Sequence, residues 1–541
     1  MTILFVTLSL ITLLIASPQA IAQNPDLGKI NFPNSGSEEA QGAFIKGTLL
    51  LHSFEYEDAA EEFKKAQKID PEFALAYWGE VMTYNHPLWA QQDYHKSNTV
   101  LNKLSPDPEK RITFAKTEVE KGFIRAANAL YGEGTKFERD FIYRDVMKEL
   151  YTKFPNHNEV TSFYSLSIIG TSHNGRNLDI YKEAAEIAEK VFARNKNHPG
   201  ALHYLIHAYD DPISAHLGLE AADLFAKVAP AASHALHMPS HIYVAKGMWD
   251  KVVSSNEASA DAAEKRRLRK KLNLQARGYH ALWWLHYGYL QQGRVKAALK
   301  LLKSMEQDTK KEETARTKFH LTSMRAAFLV ETNQWQHEVG DIKIRSSTMN
   351  IRLATTDQFI LGMKSVRNGD INIAKNALIE IGKIIKYKSN DKLDRNLTQC
   401  LRDKINKVRE LPPPHVIAAM VMEKELEAII LFEEDGKDEA LMIMELATEG
   451  EDNMAFMFGP PVIVKPSHEL YGEMLLAANL PKKAREQFEK ALERAPNRTL
   501  SLIGLARSAH QSNDEKTVQQ TKEIIHKILA QADTKIAILE D

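Results

Sequence analysis

Residues 202–244 read LHYLIHAYDDPISAHLGLEAADLFAKVAPAASHALHMPSHIYV. Within this stretch His203 to His237 is 34 residues, and so is His207 to His241. A spacing kept twice for one residue type marks two successive copies of one structural unit, and a unit of about 34 residues holds two helices and their turns. The two histidine pairs then sit in equivalent seats on neighbouring helices. His203, His207 and Asp210 lie at i, i+4 and i+7, and His234, His237 and His241 at i, i+3 and i+7, so each set shares one helix face.

The same period is written elsewhere in small residues. Gly47, Ala59, Phe63, Ala66 and Pro71 have the offsets of Gly472, Ala484, Phe488, Ala491 and Pro496. They match positions 8, 20, 24, 27 and 32 of the tetratricopeptide (TPR) repeat, where small side chains let two antiparallel helices close and a proline ends the second. Gly247-Met248-Trp249, Gly293-Arg294-Val295 and the poorer Asn333-Gln334-Trp335 read as turns between paired helices. Almost no stretch alternates with period two, so no substantial sheet is expected. The predicted fold is all-α, an α-solenoid of TPR-like helix-turn-helix repeats.

A chain of 541 residues exceeds what one globular core supports, whereas a repeat array escapes that limit because each unit packs only on its neighbours. Lys+Arg (70) and Asp+Glu (71) leave a net charge of −1, which argues against a nucleic-acid partner or an anionic membrane surface. Residues 1–22 read MTILFVTLSLITLLIASPQAIA, an apolar run ending in the A-x-A pattern Ala20-Ile21-Ala22. They are read as a cleaved signal peptide, giving an exported protein, periplasmic or secreted, with no membrane span after cleavage; the alternative is an uncleaved anchor. Cys400 is the sole cysteine, so no internal disulfide forms.

Residues 23–38, rich in Pro, Asn, Gly and Ser, read as a linker, and 39–340 as an N-terminal TPR-like solenoid with a His-rich groove. Residues 341–411 read as an irregular helical segment. After Pro412-Pro413-Pro414, a C-terminal TPR-like block occupies 412–541. The run KRRLRKK at 265–271 reads as a solvated helix extension.

Working back from the turns, the first helices of successive units fall near 165–175, 199–211, 233–246, 279–292 and 319–332. In TPR proteins that helix lines the concave surface. His203, His207, His237 and His241 then become candidate metal ligands. Parallel neighbouring helices lie about 8–10 Å apart, a gap two imidazoles span to one ion with bonds of about 2.0–2.1 Å. His173, His234 and Asp210 are possible additional ligands. Asp211, Trp78, His86 and Tyr243 are expected to line the groove, whereas His280, His286 and His320 read as packing or groove polarity. The His-x-x-x-His spacer Tyr204-Leu205-Ile206 lacks the glutamate of zinc proteases. Pro239, between His237 and His241, either kinks their helix or begins a new one. Glu469 and Glu473 read as a solvated, salt-bridged pair.

Ala76-Tyr77-Trp78-Gly79-Glu80 with Tyr84-Asn85-His86-Pro87, His237-Met238-Pro239-Ser240-His241-Ile242-Tyr243 and Pro466-Ser467-His468-Glu469-Leu470 carry a resemblance over the whole mature chain. It is similar to a family of exported bacterial TPR proteins. The resemblance implies the repeat fold and export; it implies no reaction, and no catalytic residue is carried over. The expected function is a scaffold that binds a protein, peptide or small-molecule ligand in the groove, through a divalent transition metal (zinc, iron or copper) or through His, Tyr and Asp alone. The alternative is a metal-dependent enzyme, a hydrolase or oxidase, using the same cluster.

Overall fold

Two five-residue motifs at opposite ends of the chain build the same joint. Helix Glu38–His52 pairs with Tyr56–Ile69, and Ala74–Met82 follows. Phe63 fills the space between them: a Cβ on Gly79 would lie 2.2 Å from its ring, and one on Gly47 2.9 Å. In the C-terminal copy, Ser467–Ala477, Pro481–Arg494 and Thr499–Gln511 meet around Phe488, with the corresponding distances 2.2 Å from Gly504 and 2.8 Å from Gly472. The computed structural model describes residues 23, 24, 26–345, 349–388 and 412–539. The expected signal segment 1–22 and Cys400 lie outside the described residues. Paired helices run through the rest, and the strands among the described residues are two short antiparallel pairs, Gln23–Asn24 with Gly28–Lys29 and Asn85–His86 with Gln91–Gln92. The fold is therefore the all-α solenoid of TPR-like repeats that the motifs predict.

The turns behave as their residues require. Gly247 (φ 61°), Gly293 (φ 66°) and Asn333 (φ 53°) all take left-handed backbone after a helix, the conformation glycine and asparagine tolerate best. Helices occupy Pro199–Ala208, Ser233–His237 with Pro239–Ala245, Tyr279–Gln291 and Ala315–Thr332. The helix expected at 165–175 is instead Asn158–Ile169. Asn158 to Pro199 is 41 residues rather than 34, because the second helix of that unit, Leu178–Arg194, is 17 residues long where Leu219–Val228 has 10. Pro239 kinks its helix without ending it: Met238 keeps helical angles (φ −53°, ψ −37°) and its N–H donates to His234 O at 2.9 Å.

Three readings of the chain's organisation are corrected. Residues 26–37 are not a free linker. Leu27, Ile30 and Phe32 are buried, and Phe32 packs against Phe44, Trp78 and Phe123. The described part of 341–411 holds an ordinary hairpin, Ile351–Arg367 with Ile371–Lys388, packed on Pro414–Glu433. The basic run is not simply solvated. In helix Trp249–Lys270, Arg266 and Lys270 ion-pair with Asp58, and Lys270 also with Glu61, tying the first hairpin of the chain to its middle.

The C-terminal block folds back on the middle of the array. Arg498, fully buried, pairs with Glu331 at 2.7 Å and Glu469 at 2.8 Å and donates to the Tyr287 hydroxyl. Trp249 Nε1 donates to Asn497 O at 2.7 Å. Glu469 is thus buried and bonded to Lys465 and Arg498, not solvated, while Glu473 keeps the expected salt bridge to Lys465. Burying Arg498 is tolerable only because carboxylates and a hydroxyl surround it.

Gly504→Ala should lower stability by about 1–3 kcal/mol through overpacking, read as a lower urea midpoint. Phe488→Leu in the same chain should recover part of the loss. An unchanged midpoint for Gly504→Ala would show that the Phe488 joint is not close-packed.

Candidate metal centre

Helix Pro199–Ala208 begins after His198, whose Nδ1 accepts the Ala201 N–H at 3.2 Å. Starting there, the helix sends His203 and His207 to one face, both buried. Their ring centroids lie 4.8 Å apart, and His234, from the next unit, comes within 5.1 Å of His203. One ring nitrogen from each of His203, His207 and His234 falls within 4.8 Å of the others. The Nε2 atoms of all three are buried with no hydrogen-bond partner. Buried polar atoms are rarely left unpaired, so three such residues side by side make this a candidate site for an ion or other bound group.

A second group lies beside the first. His237, His241 and His280 also bring one nitrogen each within 4.8 Å. His237 Nδ1 faces Asn256 Oδ1 at 2.6 Å, and Asn256 Nδ2 donates to Val252 O, so the amide presents its oxygen and His237 carries its proton on Nδ1. His241 Nδ1 lies 2.5 Å from Asp210 Oδ2. The two Nε2 atoms then face each other at 3.2 Å. One of them must hold a proton, or an ion must stand between them. Two ligands on one tetrahedral ion with bonds of about 2.0–2.1 Å sit about 3.3 Å apart, close to this spacing.

His203, His207, His234, His237 and His280 are held neutral. Burial lowers His203 and His237 to about 3, and the nearby imidazoles push the same way, offset in part by the His52 carbonyl and Asn256 respectively. His207, His234 and His280 are pushed well below the ordinary value, again mainly by burial and then by neighbouring histidines. Neutral rings keep the lone pair that a metal needs. His203 donates Nδ1–H to His52 O at 2.7 Å, which leaves Nε2 as the bare nitrogen.

A third buried group shows the contrast. Glu159 receives His52 at 2.6 Å and His198 at 3.0 Å, and Tyr204 bonds the other nitrogen of His52. The two imidazoles hold the Glu159 carboxyl well below its usual range against its burial. Every ring nitrogen there has a partner, so this group reads as a support that fixes His52, and through its carbonyl His203.

The first-hairpin turn closes the site from one side. Phe54 takes left-handed backbone (φ 53°), an uncommon choice for a bulky residue. Its ring lies 4.2 Å from His203, 6.1 Å from His207 and 5.8 Å from His234. Glu55 Oε1 then accepts from Ser233 Oγ at 2.8 Å and His234 N at 2.9 Å. From the other side Trp284 and Phe458 reach within 4.4 Å and 5.4 Å of His241. The expected open groove is therefore a covered one. Next to it, Asp210, Asp211, Trp249, Tyr287, Met454 and Phe458 line part of a cleft of about 110 Å³.

The structure brings His203, His207, His234, His237 and His241 together, in two neighbouring groups of three histidines and a third group, His207, Asp210 and His241, that bridges them. Asp210 lies with them, and its oxygen serves His241 Nδ1. Asp211 turns away, accepting the Ile213 and Ser214 N–H groups and pairing with Arg176. His173 is not in the cluster: it lies past the end of helix Asn158–Ile169, bonded to Asp140 at 2.8 Å. Trp78 is core, fully buried between Phe32, Phe123 and Phe163. His86 stacks on Tyr56 at 4.2 Å, away from the six rings. Tyr243 sits two residues from His241, so its side chain leaves on another face, where its hydroxyl donates to Asp223 at 2.6 Å. His280, expected as packing or groove polarity, joins the second group: it is the second residue of Tyr279–Gln291 as His234 is of the helix run from Ser233, a shared seat that is visible in the sequence. Phe54 and Glu55 carried no such signal.

No family model matches the chain, and no curated protein matches it. It is similar to solved TPR structures. Yeast Tom70 is 14% identical, with 92% of this chain and 95% of that chain covered and a TM-score of 0.27. The human IFIT1 dimer with m7Gppp-AAAA is 12% identical, with 93% and 92% covered and a TM-score of 0.34. These scores are low, and the helix hairpins themselves carry the fold assignment. Among the described residues no helix is long and apolar enough to cross a membrane.

Acid should unfold the metal-free chain. Below the ordinary imidazole value near 6.5 the unfolded chain takes up protons that buried His203 and His237 refuse until about 3, so stability falls as pH drops through that window. At about 1.4 kcal/mol per pH unit and ring, two rings remove several kcal/mol by pH 4, against a typical total of about 5–15 kcal/mol. Helical circular dichroism should be lost with a midpoint above pH 4; full helicity at pH 3.5 would contradict buried neutral rings.

Proposed function

We propose that the chain is a TPR-type scaffold whose inner histidine-lined surface holds a divalent transition metal, and through it a ligand or partner. The observation that carries this reading is the convergence of one ring nitrogen from each of His203, His207 and His234, three residues whose Nε2 atoms are all buried and unpartnered. Imidazole suits zinc, iron and copper alike. The bonds from His203 to His52 O and from His241 to Asp210 are the outer contacts that metal-binding histidines characteristically make. Export to the periplasm or the exterior belongs to the same proposal, supported by the apolar run at 1–22 and by Cys400 being the sole cysteine.

One observation favours a second reading, a metal-dependent hydrolase or oxidase. The cleft lined by Asp210, Tyr287 and Phe458 adjoins the histidines and would give a substrate its approach to them. Asp210 would then hold His241 in its tautomer while an open metal position faced the substrate.

Elemental analysis of the full chain, purified without a histidine tag after growth in metal-supplemented medium, tests the metal. At least one equivalent of a transition metal is expected, falling in His203→Ala. Less than about a tenth of an equivalent would overturn the reading, and retention in His203→Ala would move the site elsewhere.

A further inference from the structure

The two groups of histidines follow one pattern. His203 and His207 are the fifth and ninth residues of the helix from Pro199, and His234 is the second of the run from Ser233. His237 and His241 are the fifth and ninth of that run, and His280 is the second of the helix from Tyr279. The repeat has therefore built the same three-imidazole cage twice, in adjacent units. Each cage draws two rings from one helix and one from the next, and the cages touch: His207 and His241 have ring centroids 5.4 Å apart, and His234 and His237 5.9 Å.

Each cage also has one carboxylate against it. Glu55 bonds the backbone N–H of His234 beside the first, and Asp210 bonds His241 of the second. Asp211 is already matched by Arg176. The one carboxylate within ligand distance of these rings is Asp210, grouped with His207 and His241 and already bonded to His241 Nδ1, so ions that want several oxygen ligands, such as magnesium, calcium and manganese, are poorly served. Total charge then decides among the rest. Two divalent ions would bring four positive charges into a buried space beside two carboxylates, and unpaired buried charge costs several kcal/mol per ion. Two monovalent ions are matched by Asp210 and by Glu55, whose charged form is favoured by the Ser233 and His234 donors against the burial that raises its pKa. Copper(I) is monovalent, has a filled d shell and is satisfied by three neutral nitrogens.

We propose that the chain binds two copper(I) ions side by side, one held by His203, His207 and His234 and the other by His237, His241 and His280. This rests on the metal-scaffold reading above, replaces its divalent ion by a monovalent one, and adds stoichiometry, identity and the sixth ligand. Glu55 and Asp210 supply the compensating charge, Phe54 covers the first ion and Phe458 with Trp284 the second.

The test is a titration of the metal-free full chain with copper(I) under anaerobic conditions, with zinc(II) in parallel and in equimolar competition, followed by desalting and elemental analysis. Two copper ions per chain are expected, with copper retained over zinc. His234 and His280 stand at the partly exposed rim of their cages, so His234→Ala and His280→Ala should fold, and each should hold one copper; the double variant should hold none. His234→Gln and His280→Gln, which keep side-chain bulk, should repeat the result, with helicity checked by circular dichroism. One copper in the unaltered chain would overturn the pair but leave the metal scaffold standing. Zinc displacing copper would overturn the identity alone. No bound metal of either kind would overturn both readings and leave a proton between His237 and His241.

Discussion

A neutral imidazole has one nitrogen that donates and one that accepts, and inside a protein both must be met. At the centre of this solenoid one side of the requirement is met for His203, His237 and His241. His203 donates to the His52 carbonyl, His237 to Asn256, and His241 faces Asp210. The Nε2 sides of the first group are left bare, and those of His237 and His241 meet only each other. Much of the surrounding architecture serves to hold these rings where they are. Glu159 anchors His52, helix Trp249–Lys270 supplies Asn256, and the loop ahead of the last repeats supplies Phe458.

Closure of the superhelix makes the site a buried one. In an open array the concave face meets water, and six imidazoles would simply be hydrated. Here the first hairpin curls onto the helix Pro199–Ala208, and the ion pairs of Arg266 and Lys270 with Asp58 keep it there. The left-handed turn at Phe54 points a ring at the histidines, and backbone in that region is normally kept only where the surroundings enforce it. At the other end, Arg498 with Glu331 and Glu469 locks the C-terminal block onto the middle. Burial then lowers the proton affinity of the histidines, so the same packing that covers the rings keeps them in the form able to bind a metal.

Repetition explains why the cage occurs twice. A solenoid reuses one helix-to-helix geometry, so side chains that converge from seats five, nine and two in one unit converge again in the next. The insertion that lengthens the preceding unit, in helix Leu178–Arg194, shifts its register and puts His173 beside Asp140. The unit after it lengthens in helix Trp249–Lys270, yet the following helix starts where His280 still reaches its seat.

Local chemistry in the chain determined the class of fold. Gly47, Ala59, Phe63, Gly472, Ala484 and Phe488 state the repeat, Gly247 and Gly293 its turns, and the 34-residue spacing of His203/His237 and His207/His241 their shared face. These features depend only on contacts within a unit or between adjacent units, which is why they are legible without the structure. The division of the rings into two groups, the part played by His280, the cover of Phe54 and Glu55 and the loss of His173, Trp78 and Tyr243 from the site were decided by tertiary structure. They depend on how far each second helix runs and on a superhelix that brings residue 54 against residue 203 and residue 458 against residue 241. Sequence periodicity carries no record of contacts at that separation, because they follow from the accumulated rotation of many units rather than from any one of them.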